Sequence, residues 1–319
     1  MSKTKIADVI VPELFAPYVI KHTKETSALV NSGIAQGCEL LDELVAKGGA
    51  LINLPSFKEL SGDAEVLSDS QPLAPSKVEA QKVIAPMFIR GKAWSANELA
   101  GALAGSDPMT AAGEMLADWW NIQERATLVS ILAGIFADAL KSTHSHDISG
   151  ASGASAVINA NAILDTKQFL GDAATSLKAI AMHSAVYTVL QKQNLIEYIP
   201  NSKGVVDFPS YLGYKVIVDD GLAPAGGVYS TYLFADGAFA RGEGVPESLT
   251  PIEMGRDILA SDDILVSRRA FCLNPVGVSW TGSSANPTPS NAELAAGANW
   301  TKIGANKSIG IAMLKHRIG

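Results

Sequence analysis

The sequence predicts a mixed chain of class α+β, and three features carry that expectation. A long helical pattern opens at Ser106-Asp107-Pro108. Strand and helix patterns alternate between 177 and 194. β-rich runs then fill most of the chain from 214 to 314.

The first stretch, residues 1–26, holds Pro12 and Pro17 and has little periodicity, so it reads as an extended arm. Val9, Val11, Leu14, Phe15, Tyr18 and Ile20 are too many apolar residues for a disordered tail. Such an arm needs a surface to lie on. Between Thr26 and Lys47, Leu29, Val30, Ile34, Leu40, Leu41, Leu44 and Val45 predict helical segments interrupted near Gly33 and Gly37. Gly48-Gly49 ends that part.

Two extended arms follow, Leu51 to Phe57 and Val78 to Trp94, around a tip rich in Ser, Asp, Gly and Pro. This describes a long β-hairpin. A lone two-stranded hairpin is marginal in water. Two readings stand: a hairpin packed on its own domain, or an excursion onto a neighbouring subunit.

The clearest element begins at Pro108, with Asp107 as N-cap and Pro at the first helical position. Apolar residues recur at Ala112, Met115, Leu116, Trp119, Ile122, Ala126, Val129, Ala133, Phe136 and Leu140. At ~1.5 Å per residue this helix is about 50 Å long, a strut along a domain. Trp119 falls on the apolar stripe, whereas Trp120 lies about 100° away, at a flank or a subunit contact.

Residues 142–153 are a polar loop, and 161–174 read as helix. Leu177–Met182 is a short buried strand, and Ser184 caps a helix ending near Asn194. Strand signals follow at Tyr214–Val218 and Tyr229–Ala235, with a tight turn at Asp236-Gly237 leading into Ala238–Arg241. Further strands are expected at 264–273, 276–280 and 309–314.

The bulk composition bounds function. The 319 residues, 47% hydrophobic, supply core enough for two or three domains or one domain with long excursions. A net charge of −7 argues against a module that grips nucleic acid through phosphates. It leaves room for a protein that encloses nucleic acid. Cys38 and Cys272 are too few for a disulfide framework and read as buried thiols. The most apolar run, 126–140, is too short to span a bilayer. Asp8, Pro12, Glu13 and Pro17 break up any signal-peptide core.

No chemistry emerges from the motifs. There is no phosphate-binding glycine loop, and Gly242-Glu243-Gly244 runs into Pro246 where a helix would have to begin. There is no G-x-S-x-G elbow. His144, His146 and Asp147 have the residue types of a cation site, but a solvated loop accounts for them as well. Asp219-Asp220 and Asp262-Asp263, if extended, point to opposite faces rather than forming dyads. Arg268-Arg269 is an isolated basic pair. No catalytic, cofactor-binding or metal-binding residue is therefore assigned, and no cofactor is expected.

The order of parts is more informative: arm, long hairpin, very long helix, α/β unit, β-rich return. Asp107-Pro-Met109 opens a helix running through Ala117-Asp-Trp-Trp120. Arg256-Asp-Ile-Leu-Ala-Ser-Asp-Asp-Ile-Leu-Val-Ser-Arg-Arg-Ala-Phe271 continues to Asn274-Pro-Val-Gly-Val-Ser-Trp280, and Asn291-Ala-Glu-Leu-Ala295 and Asn299-Trp300 close the chain. This ensemble, over the whole chain, resembles the tailed-phage major capsid proteins of the Hong Kong 97-type fold.

The resemblance implies an N-terminal arm at 1–47, an extended β-hairpin loop at 48–95, and a peripheral domain with the spine helix at 96–144. An axial domain follows at 145–244, and a returning β-rich segment at 245–319 completes both domains. It implies hexamers and pentamers closing into an icosahedral shell around double-stranded DNA, a virion capsid assembled in the host cytoplasm. The expected partners are portal, scaffold and decoration proteins. With the arm at residue 1, a scaffolding function is expected to be separate or absent. Subunit-interface candidates are Phe15, Tyr18, Leu60, Asp63, Glu65, Trp94, Trp120, Arg268 and Arg269. Lys58, Lys77 and Lys82 lie in or near the loop, but nothing singles one out, and no cross-link is predicted. An encapsulin-like nanocompartment shares the fold and is the runner-up. An α/β enzyme is the third reading and lacks a convergent site.

Overall fold

A computed structural model describes residues 29, 32–58, 60, 62–64, 77–104, 108–200 and 206–318. The chain begins with β1 (Ala35–Gly37), α1 (Glu39–Lys47), β2 (Leu51–Phe57), β3 (Ala80–Asn97), α2 (Glu98–Ala104) and α3 (Pro108–Ala137). It continues with β4 (Ser145–Asp147), α4 (Ala160–Lys167), β5 (Leu177–Met182), α5 (Ser184–Lys192), β6 (Glu197–Pro200), β7 (Val206–Tyr211), β8 (Tyr214–Val218) and β9 (Tyr229–Ala235). It closes with β10 (Phe239–Gly244), β11 (Ile252–Asp257), β12 (Asp262–Pro275), β13 (Val278–Trp280), α6 (Asn291–Leu294), β14 (Trp300–Lys302) and β15 (Ile311–His316).

Two sheets organise these elements. One has six strands in the order β1-β10-β12-β3-β2, with β11 paired to β12. The other has seven, in the order β4-β15-β9-β5-β8-β7-β6. The expected turn at Asp236-Gly237 is present, with Gly237 at φ 66°. It does not close a hairpin, because β9 and β10 belong to different sheets. A glycine is needed there both for its left-handed backbone and because a Cβ would meet Gln36 at 2.7 Å.

The predicted hairpin is β2 with β3, in register from Leu51 opposite Pro86 to Phe57 opposite Ala80. β3 runs 18 residues and β12 runs 14, far beyond the mean strand of about six. They pair from Asn97 opposite Asp262 to Met87 opposite Cys272. The far end of this ladder packs in a small separate cluster of Ala96, Met109 and Leu265.

The C-terminal half of α3 is the keel of the main core. Leu128, Ile131, Leu132, Ile135 and Phe136 are buried in one cluster with Phe88 and Phe271 of the first sheet and Tyr232 and Phe234 of the second. Phe136 meets Tyr232 with ring centroids 5.6 Å apart. Gly134 lets the 294–300 segment close on the helix, since a Cβ there would meet the Leu294 carbonyl oxygen at 2.0 Å. A second core lies in the seven-stranded sheet around Ile163, Ile180, Leu190 and Leu233.

Several sequence expectations need correcting. Of the stretch expected to be helical segments interrupted near Gly33 and Gly37, Glu39–Lys47 is the helix α1, whereas Ala35–Gly37 is the strand β1, and Ile34, Leu41 and Val45 are buried. Helix α4 ends at Lys167, and a tighter 3-10 stretch, Gln168–Ser176, breaks at Gly171 with φ 58°. The cap of α5 is His183, whose Nδ1 accepts from the Ala185 amide at 3.0 Å, while Ser184 is the first helical residue. The expected cap at Asp107 lies outside the described residues.

The tryptophans of α3 exchange roles. Trp120 is buried, 7% exposed, and donates from Nε1 to Ser267 Oγ at 2.9 Å, whereas Trp119 is only partly covered. The buried face is turned by about one residue because Glu124 belongs to it, and a carboxylate is an unpromising core residue until its partners are known.

Candidate assembly surfaces

The β2–β3 hairpin is the first surface. Its ladder is fixed at the outer end by the Lys58 amide donating to the Glu79 carbonyl at 2.9 Å, and by a Lys58–Glu79 ion pair at 2.5 Å. That pair is exposed, so it orients the strands more than it stabilises them. Beside it, Phe57, Leu60 and Val78 are largely exposed, Leu60 to 83%. Asp63 is exposed on the same excursion. Glu65, like Phe15 and Tyr18, lies outside the described residues. Beneath the outer half of the hairpin is a hollow of about 690 Å³ lined by Leu54, Phe57, Val83, Val276 and Ile303. Asn274, 3% exposed, also lines it, and its Oδ1 accepts no hydrogen bond there.

The second surface flanks the N-terminal half of α3. Trp94 from β3 meets Trp119 edge to face at 5.1 Å, and Trp119 meets Trp120 at 4.8 Å. The stripe expected to be core, Met115, Leu116, Trp119 and Ile122, is only partly covered and lines an apolar hollow of about 300 Å³ with Trp94. The sequence pattern marks an apolar face here, and the described residues leave it only partly covered.

Arg268 and Arg269, candidates for contacts between subunits, have partners in their own chain. Arg268 Nη1 donates to Glu253 Oε2 at 3.0 Å. Arg269 Nε donates to Glu243 Oε1 at 2.7 Å, and its Nη1 lies 3.4 Å from Glu124 Oε2. Arg241 completes the group, with Nε 2.5 Å from Glu124 Oε1 and Nη2 2.9 Å from Glu243 Oε2. Glu124 is 1% exposed, so this network fastens the middle of α3 to β10 and β12. The hydrogen bond from Arg269, helped by both guanidinium charges, holds the Glu243 carboxyl below its ordinary value. The Glu243 amide donates to Asp42 Oδ1 at 2.7 Å, tying α1 to the same sheet. No motif marked Glu124. The arginines at 241 and 269 were the available signal, and only the fold brings them together.

The residues weighed for chemistry have structural roles. His144 is buried, with Nε2 3.0 Å from the Asn306 carbonyl oxygen and Nδ1 2.9 Å from Thr143 Oγ1. His146 Nδ1 lies 3.3 Å from the Ala162 carbonyl oxygen. Burial pushes the Cys272 thiol up to about 12, far from a reactive thiolate. Among the described residues, no group of three or more His, Cys, Asp or Glu is placed to hold a metal ion. No described helix is long and apolar enough to cross a membrane.

Two sheets braced by one long helix, with a hairpin and a helix face that the described residues leave partly uncovered, define a class of protein: an α+β subunit with apolar surfaces of the kind that partners cover. Comparison with known proteins identifies the kind. The family described as Gp13-like, "Major capsid protein 13-like", matches residues 96–309. The whole chain is 41% identical over 326 aligned residues to the "Major capsid protein" of Bacillus phage SPP1, covering 100% of this chain and 99% of that one. In fold it is similar to the Cyanophage Pam1 capsid asymmetric unit, with TM-score 0.56 and 14% identity over 89% of this chain and 88% of that one. It is also similar to a structure from Microbacterium phage Oxtober96, with TM-score 0.56 and 9% identity over 91% of each chain. The chain belongs to the Gp13-like family of phage major capsid proteins. Its fold is the Hong Kong 97-type capsid fold.

Proposed function

We propose that this major capsid protein self-assembles as hexamers and pentamers into an icosahedral shell enclosing phage double-stranded DNA. The observation that carries the reading is the β2–β3 hairpin, a two-stranded excursion presenting Phe57, Leu60 and Val78 to solvent. A second copy beneath it removes that apolar surface from water, so folding and assembly are linked by mass action. Its net charge of −7 fits enclosure of DNA without specific binding. The protein acts as a structural subunit rather than an enzyme, and its place is the virion capsid.

The division into arm (1–47), extended loop (48–95), peripheral (96–144), axial (145–244) and returning (245–319) parts belongs to the same proposal. So do contacts between copies at Leu60, Asp63, Trp94 and Arg268, and at Phe15, Tyr18 and Glu65. Trp120 and Arg269 stand aside from that set, since their side chains are spent on Ser267 and Glu124. Portal, scaffold and decoration proteins are the proposed partners.

The test is to express the chain alone and with neighbouring phage proteins, then examine the products by sedimentation and electron microscopy. Capsomers and closed shells are expected. A stable monomer under every condition contradicts the proposal.

A further inference from the structure

The turn joining β11 to β12 is a built apolar knob. Leu259 is 100% exposed and Ile258 80%. The backbone beneath them is nevertheless fixed. Asp257 Oδ1 accepts from the Leu259 and Ala260 amides at 3.1 and 3.2 Å. Asn97 Nδ2 donates to the Ala260 carbonyl at 2.9 Å and to Asp262 Oδ1 at 2.8 Å. The Glu98 amide donates to the Ser261 carbonyl at 2.9 Å, and Ser261 holds a left-handed φ of 51°. A turn is usually made from Gly, Asn, Asp, Ser or Pro. Two large aliphatic side chains add nothing to its geometry, and they cost free energy in water unless something covers them.

The same chain carries an apolar hollow near this turn. The hollow of about 300 Å³ beside α3 is walled by Trp94, Ala112, Met115, Leu116, Trp119 and Ile122, with Asp118 as its one charged lining residue. That is room for more than a single water. Asn97, opposite Asp262 at the base of the knob, is three residues from Trp94 on the wall of the hollow. At ~3.3 Å per residue the two features lie about 10 Å apart along β3. Leu259, fully exposed, does not occupy its own chain's hollow. A knob and a hollow this close on one subunit are satisfied in a closed ring, in which a nearby rotation axis puts each knob into the next copy's hollow.

We propose that Ile258 and Leu259 of one copy seat in the hollow formed by Trp94, Met115, Leu116, Trp119 and Ile122 of a second copy. This rests on the shell-forming reading and adds a specific pair of surfaces to it. The rigid turn presents the knob already ordered, which lowers the entropy cost of docking. Knob and hollow being on different elements, either is altered without touching the other.

The experiment uses the full chain carrying Leu259→Cys with Met115→Cys, assembled, mildly oxidised and run on an unreduced gel. Covalent dimers and longer chains, absent from each single variant, are expected. Monomer alone, from preparations in which electron microscopy finds shells, overturns this contact and leaves the shell reading standing. Wild-type protein that never forms shells overturns both. If the double variant does not assemble, Leu259→Asp decides, since its site is in solvent and the subunit keeps its wild-type melting temperature. A charge there weakens each contact by roughly ten- to a hundredfold, about 1.4–2.8 kcal/mol, and raises the protein concentration needed for shells. An unchanged concentration threshold overturns the proposal.

Discussion

The two halves of α3 carry similar apolar side chains to different ends. From Leu128 to Phe136 the helix is wedged between both sheets and its large residues are buried. From Met115 to Ile122 the stripe is only half-covered and borders open space. Glu124 sits between these halves, held by Arg241 and Arg269. The difference teaches that apolar periodicity specifies a face to be buried without specifying which molecule buries it. One half builds the subunit. The other half, with the exposed hairpin and the knob at Ile258-Leu259, is the surface proposed here for contacts with neighbours.

Substitutions along the helix break or sharpen that contrast. Phe136→Ala, in the fully packed half, is expected to cost about 3–5 kcal/mol. It is read as a lower thermal midpoint against wild type at equal protein concentration. Glu124→Ala strips a buried carboxylate from two arginines and is expected to cost about 2–3 kcal/mol, the partial exposure of Arg241 softening the loss. Gly134→Ala should cost about 1–3 kcal/mol despite the better helix propensity of alanine, because the Leu294 carbonyl has to move. Trp119→Ala, in the half-open part, should cost the unassembled subunit only about 1–2 kcal/mol, mostly its aromatic edge contacts. If Trp119→Ala destabilises the unassembled subunit as much as Phe136→Ala does, the contrast between the halves is wrong.

The smallest expected effect is that of pH. Burial holds His144 and His316 below the ordinary histidine value of 6.5. The unfolded chain therefore binds more protons than the folded one as pH falls past that value. The stabilisation is present above 6.5 and lost on acidification. Melting points should decline between about pH 7 and pH 5, and His316→Asn should flatten the slope. A slope unchanged in that variant would separate His316 from the acid response.

Much of the subunit was legible because local signals agreed with it. Leu177–Met182 is a strand with the expected bounds, since a continuous apolar run suits the middle of a sheet. The hairpin arms and the start of the long helix at Pro108 were equally plain. What was hidden depends on distant partners. The sheet order makes β9 and β10 part company at Asp236-Gly237. The rotation of α3 that buries Trp120 instead of Trp119 is set by residues more than 100 positions away, Ser267 and Arg241. Of the proposed contact surfaces, the hairpin was legible from its exposed apolar residues. The Leu259 knob was not, because Ile258-Leu259 reads like any other strand end until the turn places it in solvent.

The central claim is that this subunit is completed by copies of itself. Sedimentation velocity of the purified wild-type chain across a range of concentrations, with electron microscopy of the same fractions, tests it most directly. The account predicts concentration-dependent conversion to capsomers and closed shells. A folded monomer that stays monomeric at every concentration, with or without the neighbouring phage proteins, would contradict it.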